Sequence, residues 1–198
     1  MPQYFDNVEG LKHEDITIQF SLLGENYSLK SDLGVFSKRS LDDGTKLLLE
    51  AIGNTDLGKD ILDVGCGVGP IGLILAHLDS TRRVTMCDVN TRALDLARRN
   101  SSLLGVEQQV EIVTSDVYRS INSTYDSIVS NPPIRAGKSV TYRIYDEALD
   151  HLNDGGKLII VIRKQQGAPS VYAHLSSLFS KVEIVESHKG YKVIIAYK

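Results

Sequence analysis

A glycine-rich turn is the first feature of this sequence whose residue types could do chemistry. The segment Asp63-Val64-Gly65-Cys66-Gly67-Val68-Gly69 follows a short apolar run and precedes a helical pattern. Glycines allow a tight turn and a close backbone approach to a ligand, and free N–H groups at a helix start favour polar or anionic ligand atoms. Asp88 follows the next apolar run, where its carboxylate is placed to accept both hydrogen bonds of a ribose diol. Together these residues predict a site for a nucleotide-like molecule.

Asp63 discriminates among the nucleotide-like candidates. A dinucleotide-binding turn has the spacing G-x-G-x-x-G, whereas Gly65, Gly67 and Gly69 stand at alternate positions here. A carboxylate beside the turn would repel a pyrophosphate and would suit an ammonium group. S-adenosylmethionine has an amino-acid head group, a ribose and an adenine but no phosphate, so it fits both the turn and Asp88. A purely structural glycine turn is the alternative.

The segment Asn131-Pro132-Pro133-Ile134 is the second chemical feature, and it follows the fourth apolar run of the alternating region. Two prolines fix two φ angles, so the turn presents its carbonyls and the Asn131 side chain in a set direction. Asn131 Oδ1 and the Pro132 carbonyl could each accept one N–H of an exocyclic amine and aim its lone pair at a methyl donor. The alternative is an ordinary strand-ending turn, which also commonly contains Asn-Pro.

Alternating strands and helices must position these segments. Short apolar runs predict strands at 61–64, 84–87, 110–113, 127–129, 158–162, 182–185 and 192–196. Helical periodicity predicts helices at 71–78, 92–104, 140–152 and 170–179. This order predicts an α/β fold with a doubly wound, mostly parallel seven-stranded sheet and an antiparallel C-terminal edge strand.

The region before residue 60 has a different pattern. Extended runs at 16–20 and 27–30 predict a hairpin, and leucines at helical spacing predict an amphipathic helix over 41–52 with Asp42 and Asp43 as possible caps. We expect one domain over 1–198, in which 1–55 form a hairpin and helix extension and 56–198 form the core.

Composition excludes several classes of protein. The 198 residues are 42% hydrophobic and 24% charged, as in ordinary globular proteins, and they contain no run of 18 apolar residues. The N-terminus lacks the features of a signal peptide, so we expect a cytoplasmic protein that does not contact membranes. Two cysteines, Cys66 and Cys87, and five scattered histidines show no metal-ligand spacing, so no metal site is predicted.

Charge is distributed unevenly along the chain. The net charge is −3, but residues 1–130 carry 12 Lys and Arg against 19 Asp and Glu, whereas residues 131–198 carry 10 against 6. An anionic partner is therefore expected to meet the second part of the chain, although chance unevenness on a solvated surface is an equally simple explanation.

At this point the sequence resembles the class I S-adenosylmethionine-dependent methyltransferases over residues 60–198. The resemblance implies that 63–69 form the cofactor turn, that Asp88 binds the ribose, and that Ser115-Asp116-Val117 approach the adenine. It also implies that Asn131 to Ile134 face the reacting methyl group, as in enzymes that methylate planar amino groups. Ile134 stands where such enzymes usually have an aromatic residue, so Phe36 or Tyr142 would have to supply a stacking surface.

Further segments resemble the RsmC-like ribosomal RNA guanine-N2 methyltransferases, and this resemblance covers roughly residues 15–198. It rests on Gly34-Val35-Phe36-Ser37, the following 41–49, the segment 131–138 and the segment 164–169. It implies S-adenosylmethionine as cofactor and small-subunit ribosomal RNA as partner. Independently of the resemblance, the basic residues that follow the fourth and fifth predicted strands could form a phosphate-binding rim, with a solvated surface as the alternative: Arg135, Lys138, Arg143, Arg163 and Lys164. The better-known members carry two related domains, so a homodimer or the assembled ribosomal subunit is expected to supply the missing surface.

The predicted site therefore has three parts. The catalytic residues are Asn131, Pro132, Pro133 and Ile134. The cofactor-binding residues are Asp63, Gly65, Cys66, Gly67, Gly69, Asp88, Val89, Asp116, Val117 and Asn131. The substrate-binding residues are Phe36, Arg135, Lys138, Arg143 and Lys164. The competing functions are methylation of protein glutamine or DNA adenine, nicotinamide-dependent oxidoreduction, and a noncatalytic S-adenosylmethionine-binding module.

Overall fold

The computed structural model describes residues 15–32, 40–132 and 137–198. The strands are β1 (Asp15–Leu22), β2 (Glu25–Asp32), β3 (Asp60–Val64), β4 (Arg83–Asp88), β5 (Val110–Thr114), β6 (Tyr125–Ser130), β7 (Leu152–Arg163), β8 (Lys181–His188) and β9 (Tyr191–Tyr197). The helices are α1 (Asp43–Ile52), α2 (Pro70–Leu78), α3 (Thr91–Leu104), α4 (Lys138–Asp146) and α5 (Ala168–Leu178). Single turns of 3₁₀ helix cover Ala148–His151 and Lys164–Gln166. Among the described residues, no helix has the length and apolar character needed to cross a bilayer.

Seven strands form one mixed sheet in the order β5-β4-β3-β6-β7-β9-β8. The pairs from β5 to β7 are all parallel, and β9 runs antiparallel to both of its neighbours. The predicted α/β fold with a mostly parallel seven-stranded sheet and an N-terminal hairpin is confirmed. The carboxyl ends of β3, β4, β5, β6 and β7 therefore meet at one edge of the sheet.

The predicted antiparallel C-terminal edge is confirmed, because the last two strands, β8 and β9, form it together. Helix α5 carries the chain past one strand position, so β8 forms the edge and β9 returns into the gap beside β7. The positions of β8 and β9 in the sheet agree with the polarity of their side chains. Val193 and Ile194 of β9 are buried, whereas Ile184 of β8 is 42% exposed and its strand also carries exposed glutamates.

Helices cover both faces of the sheet because strand side chains alternate between the faces. One apolar cluster joins α1, α2 and α3 to Ile61, Met86 and Val193, and the other joins α4 and α5 to Leu62, Cys87 and Ile194. The helix predicted over 140–152 is shorter in the structure. It ends at Asp146, because Leu152 already pairs with Tyr125 in the sheet.

The N-terminal hairpin docks onto α3 through Asn100, a fully buried residue of that helix. Asn100 Oδ1 accepts from the Lys30 backbone N–H at 2.7 Å, and Asn100 Nδ2 donates to the Lys30 and Val68 carbonyls at 3.0 and 2.9 Å. An ion pair between Arg92 and Asp32 adds a second link. Since Val68 belongs to the glycine-rich turn, the hairpin, α3 and the turn form one connected unit.

Candidate active site

The glycine-rich turn joins β3 to α2 at the carboxyl edge of the sheet. Gly65, Gly67 and Gly69 all have positive φ angles, of 72°, 56° and 91°, a conformation that favours glycine. Space is also limiting, because a Cβ atom on Gly69 would lie 2.6 Å from Met86 Cε. The turn is held to the next strand by the N–H groups of Gly65 and Cys66, which both donate to the Cys87 carbonyl at 2.8 and 3.0 Å.

Asp88 lies beside this turn at the end of β4, and it is 5% exposed. Its Oδ2 accepts from the Gly67 N–H and its Oδ1 accepts from the Asn90 N–H, both at 2.9 Å. The structure thus brings together the turn and the carboxylate that the sequence paired. The next residue, Val89, is partly buried at the start of the loop to α3.

Asp63 is fully buried beneath the turn. Its Oδ2 accepts from the Gly72 N–H at 2.9 Å, and among the described residues nothing donates to its Oδ1. Burial raises the pKa of this carboxyl to about 7, opposed by the Gly72 hydrogen bond and reinforced by the charge of Asp88. An unpartnered, buried carboxylate oxygen fits a cationic donor such as the ammonium group of S-adenosylmethionine.

The two cysteines, Cys66 in the turn and Cys87 in β4, are both buried and have a structural role. Burial is the main cause that raises the pKa of the Cys66 thiol, and it raises the pKa of the Cys87 thiol to about 12; nearby Asp63 adds to both shifts. Thiols with raised pKa values are poor nucleophiles at neutral pH. Cys66 therefore contributes packing and backbone geometry to the predicted cofactor site rather than a reactive sulfur.

The loop after β5 contains the predicted adenine-side residues. Val117 has φ +53°, which is a strained conformation for a β-branched residue, and its carbonyl accepts from Ser115 Oγ at 2.9 Å. Asp116 is exposed, and its Oδ2 accepts from Arg143 Nη1 at 2.9 Å. This ion pair links the loop to α4, the helix that follows the segment 131–136 in the chain.

Asn131 lies directly after β6, the neighbour of β3 in the sheet, and it is partly buried. Its Nδ2 donates to Asp42 Oδ2 at 2.7 Å and to Thr45 Oγ1 at 3.0 Å. The following residue, Pro132, is buried. The fourth strand end and the glycine turn therefore lie on adjacent strands of the same sheet edge, as the sequence predicted.

Asp42 and Thr45 are residues of this site that sequence reasoning missed. Asp42 was predicted only as a helix cap, and it does cap α1 through its Oδ2, which accepts from the Thr45 N–H at 2.9 Å. Its Oδ1 also faces the Tyr191 hydroxyl at 3.4 Å. The pattern around 41–52 gave no sign of these contacts, because they join residues 86 to 149 positions apart in the chain.

Only some of the residues predicted to contact the substrate lie in the part of the chain that the structure describes. Lys138 begins α4 and is exposed, and Lys164 is exposed beside the β8–β9 turn, where its N–H donates to the Gly190 carbonyl at 2.7 Å. Phe36, Pro133, Ile134 and Arg135 lie outside the described residues.

Arg143 and Tyr142, which were also predicted to contact the substrate, interact with other residues of the protein. Arg143 bonds Asp116 and also donates from Nε to Glu147 Oε1 at 3.0 Å, so its charge is already balanced by two carboxylates. The Tyr142 ring packs against Tyr145 and His174, with ring centroids 5.7 and 4.8 Å apart, which argues against this ring as a stacking surface. Within the described ranges, no three His, Cys, Asp or Glu side chains are grouped to hold a metal ion.

Comparison with known proteins places this site in a family. The family profile described as "Methyltransferase small domain" matches residues 26–195, which is most of the chain. The chain belongs to the methyltransferase small domain family. It is an S-adenosylmethionine-dependent methyltransferase, as the resemblance implied.

Relatives of this small-domain methyltransferase differ in length. It is 42% identical over 197 residues to the protein named "Uncharacterized protein YbxB" of Bacillus subtilis (strain 168), with 98% of both chains covered. It is 37% identical over 181 residues to "Ribosomal RNA small subunit methyltransferase C" of Haemophilus influenzae (strain PittGG), with coverage of 89% of this chain and 53% of that protein. The chain thus spans about half the length of its relatives of the second kind.

A solved structure has the same fold. It is described as the T. thermophilus 16S rRNA N2 G1207 methyltransferase (RsmC) in complex with AdoMet and guanosine. The two superpose with a TM-score of 0.82 at 24% identity, covering 93% of this chain and 50% of that chain. The likeness confirms the class I methyltransferase architecture for nearly the whole small-domain methyltransferase.

Proposed function

We propose that this methyltransferase transfers a methyl group to the exocyclic N2 amine of a guanine in small-subunit ribosomal RNA. The observation that carries the proposal is the position of Asn131, which follows the strand next to the glycine turn and has both Nδ2 hydrogens engaged by Asp42 and Thr45. The part of the amide left for a substrate is the acceptor Oδ1. An acceptor suits an amino group, which brings N–H donors.

The cofactor site has the groups that S-adenosylmethionine requires. S-adenosylmethionine supplies an electrophilic methyl group on a sulfonium. Asp63 offers an unpartnered buried oxygen for the ammonium, Asp88 lies at the turn for the ribose, and Asp116 lies at the neighbouring strand end for the adenine amino group.

The chemical role of Asn131 and Pro132 is orientation of the amine. The lone pair of an exocyclic amine is delocalised into the ring, so attack is helped by holding the nitrogen and by stabilising the positive charge that grows on it. Two carbonyl oxygens, Asn131 Oδ1 and Pro132 O, can accept the two N–H bonds and do both. No general base is needed before attack, because the proton can leave the methylated nitrogen afterwards.

The choice of guanine and of small-subunit ribosomal RNA rests on the relatives. The Haemophilus influenzae protein is named a ribosomal RNA small subunit methyltransferase, and the T. thermophilus structure is described with guanosine and a 16S rRNA N2 position. Exposed Lys138 and Lys164 come after β6 and β7, whose carboxyl ends lie at the same sheet edge, and would contact phosphates.

Methyl transfer from radiolabelled S-adenosylmethionine tests the proposal. The protein is incubated separately with naked ribosomal RNA, 30S subunits, DNA and a protein extract, and labelled RNA is digested to nucleosides and identified by mass spectrometry. We expect N2-methylguanosine from RNA or 30S subunits, formed far more slowly by Asn131→Ala than by the wild type. Label in DNA adenine or protein glutamine, or label at another RNA position, would contradict the proposal.

A further inference from the structure

The two ends of an asparagine amide select opposite substrates. The carbonyl oxygen accepts hydrogen bonds and so suits an amino group, whereas the NH₂ group donates them and suits a carbonyl or a ring nitrogen. The two orientations differ by a rotation of the amide that leaves its shape almost unchanged. Which end of Asn131 faces the substrate therefore has to be set by its neighbours.

Asp42 is the neighbour that can distinguish the two ends. Its carboxylate oxygen lies 2.7 Å from Asn131 Nδ2, and an ionised carboxylate only accepts hydrogen bonds. A rotated amide would place Asn131 Oδ1 against Asp42 Oδ2, where two acceptors repel and one hydrogen bond is lost. Thr45 Oγ1, at 3.0 Å, takes up the second Nδ2 hydrogen, so the amide has no donor left for a substrate.

Asp42 is itself held from two sides. Its Oδ2 accepts from the Thr45 N–H at 2.9 Å as the cap of α1, and its Oδ1 faces the Tyr191 hydroxyl on β9 at 3.4 Å. The Tyr191 ring lies under the Arg163 guanidinium, 4.7 Å from the ring centroid, and a Cβ atom on Gly44 would lie 2.8 Å from the same ring. Helix α1, β6 and β9 thus converge on one carboxylate.

We propose that Asp42, assisted by Thr45, is a positioning residue that fixes Asn131 with its oxygen towards the substrate and thereby makes the site selective for an amino nitrogen. The proposal rests on the proposed function for its catalytic consequence. Its structural half, the fixed orientation of the amide, stands independently of any substrate.

The structural half is tested by NMR of the Asn131 side-chain amide, assigned through its loss in Asn131→Ala. Asp42→Ser keeps a good helix cap but is too short to reach Asn131. We expect hydrogen exchange of the Asn131 Nδ2 protons to accelerate at least about tenfold in Asp42→Ser. The matched control is Asp43→Ser, which removes an exposed carboxylate of the same helix turn and should leave the exchange unchanged. Equal exchange in wild type and Asp42→Ser would overturn the inference.

The catalytic half is tested by single-turnover methylation of the RNA that the wild type modifies. Asp42→Ser should lower the rate about 10- to 100-fold, as a misplaced orienting group does, with dissociation constants for S-adenosylmethionine and RNA changed less than twofold. Asp42→Asn, which keeps one acceptor oxygen and the cap, should recover part of the rate. In the Asn131→Ala background Asp42→Ser should cause no further loss, because Asp42 acts through Asn131.

The outcomes separate the two proposals. Independent, multiplicative losses from Asp42→Ser and Asn131→Ala would show that Asp42 acts on the fold alone and would overturn the positioning role. Absence of RNA methylation by the wild type would overturn the proposed function, while the exchange measurement would still decide the orientation of the amide. If Asp42→Ser is less stable than the wild type in thermal unfolding, the contact of Asn131 with Thr45 is tested instead. Thr45→Val removes the hydroxyl that accepts from Asn131, and Thr45→Ser, which keeps it, is the control.

Discussion

The Gly67 N–H donates to Asp88 Oδ2 at 2.9 Å, so the carboxylate predicted to bind the ribose also holds the glycine-rich turn. The same carboxylate accepts from the Asn90 N–H through Oδ1. One side chain therefore connects β4, the turn after β3 and the start of α3. Cofactor affinity and the geometry of the turn should depend on this residue together.

Asp88→Ala should weaken S-adenosylmethionine binding by at least about tenfold, because a hydrogen bond to a charged group contributes roughly 1.5–3 kcal/mol. Isothermal titration calorimetry measures the effect. Asp95→Ala is the control, since Asp95 is an exposed carboxylate of α3 whose ion pair is with Arg98 on the same helix. An unchanged affinity in Asp88→Ala would contradict the ribose assignment.

The raised pKa of Asp63 predicts an unusual dependence of the folded protein's stability on pH. Its pKa is about 7 in the fold against an ordinary 3.8, so between these values the folded protein binds more protons than the unfolded chain. The free energy of unfolding contributed by this group therefore falls as pH rises from about 4 to about 7, by up to about 1.4 kcal/mol per pH unit.

Asp63→Asn keeps an oxygen for the Gly72 N–H and removes the titration, so its stability should lack this decline. Urea unfolding of both proteins from pH 4.5 to 8 gives the comparison, and the difference between the two curves isolates Asp63 from groups that titrate in both. Parallel curves would show that the carboxyl has an ordinary pKa. The same variant should bind S-adenosylmethionine more weakly, because it cannot pair with the ammonium.

The salt dependence of RNA binding should distinguish the basic residues from one another. Lys138→Gln and Lys164→Gln should each reduce the slope of log affinity against log salt by about 0.7–0.9, the value for one phosphate contact. Arg143→Gln should change the slope much less, because Asp116 and Glu147 already balance its charge at 2.9 and 3.0 Å. Fluorescence anisotropy with labelled RNA at several salt concentrations measures the slopes. Slopes equal to that of the wild type in all three variants would show that the two lysines do not contact phosphates.

The two-residue turn between β8 and β9 carries removable strain. Lys189 and Gly190 have φ angles of 47° and 80°, as in a type I′ hairpin turn, whose first position favours asparagine over lysine. Lys189→Asn should therefore stabilise the fold by roughly 1 kcal/mol, which corresponds to a rise of a few degrees in Tm.

Gly190→Ala provides the matched change of opposite sign. No atom lies within 4 Å of a Cβ placed on Gly190, so alanine there meets only the cost of its positive φ. Calorimetric unfolding should rank Lys189→Asn above wild type and Gly190→Ala below it. A Lys189→Asn protein less stable than the wild type would mean that the lysine side chain stabilises the turn by a contact of its own.

Local patterns carried most of the prediction of the fold and of the cofactor site. The glycine turn, Asp88 and Asn131 were predicted at one sheet edge because each directly follows an apolar run, and parallel strands bring their carboxyl ends to the same edge. The cap Asp42 was likewise readable from neighbouring residues. These features depend on a few consecutive residues and on a simple rule of topology.

Contacts between distant segments could not be predicted in this way. The bond from Asn131 to Asp42 and the pairing of Arg143 with Asp116 depend on how α1 and α4 pack against the sheet, and no periodicity encodes that packing. The last two strands were predicted to form the antiparallel edge, but their order in the chain did not indicate that β8 is the outer one, although the glutamates of β8 already marked that strand as the more exposed one. Polarity of the two strands was thus a usable signal that chain order obscured.

Strand β9 comes later in the chain than both strands that flank it in the sheet, so it is synthesised after both of them. While β9 is still in the ribosome, β7 presents an unpaired backbone along a stretch rich in isoleucine and leucine, which is a template for association with other chains. Insertion of β9 closes that exposed edge and brings Tyr191 to Asp42 in the same event.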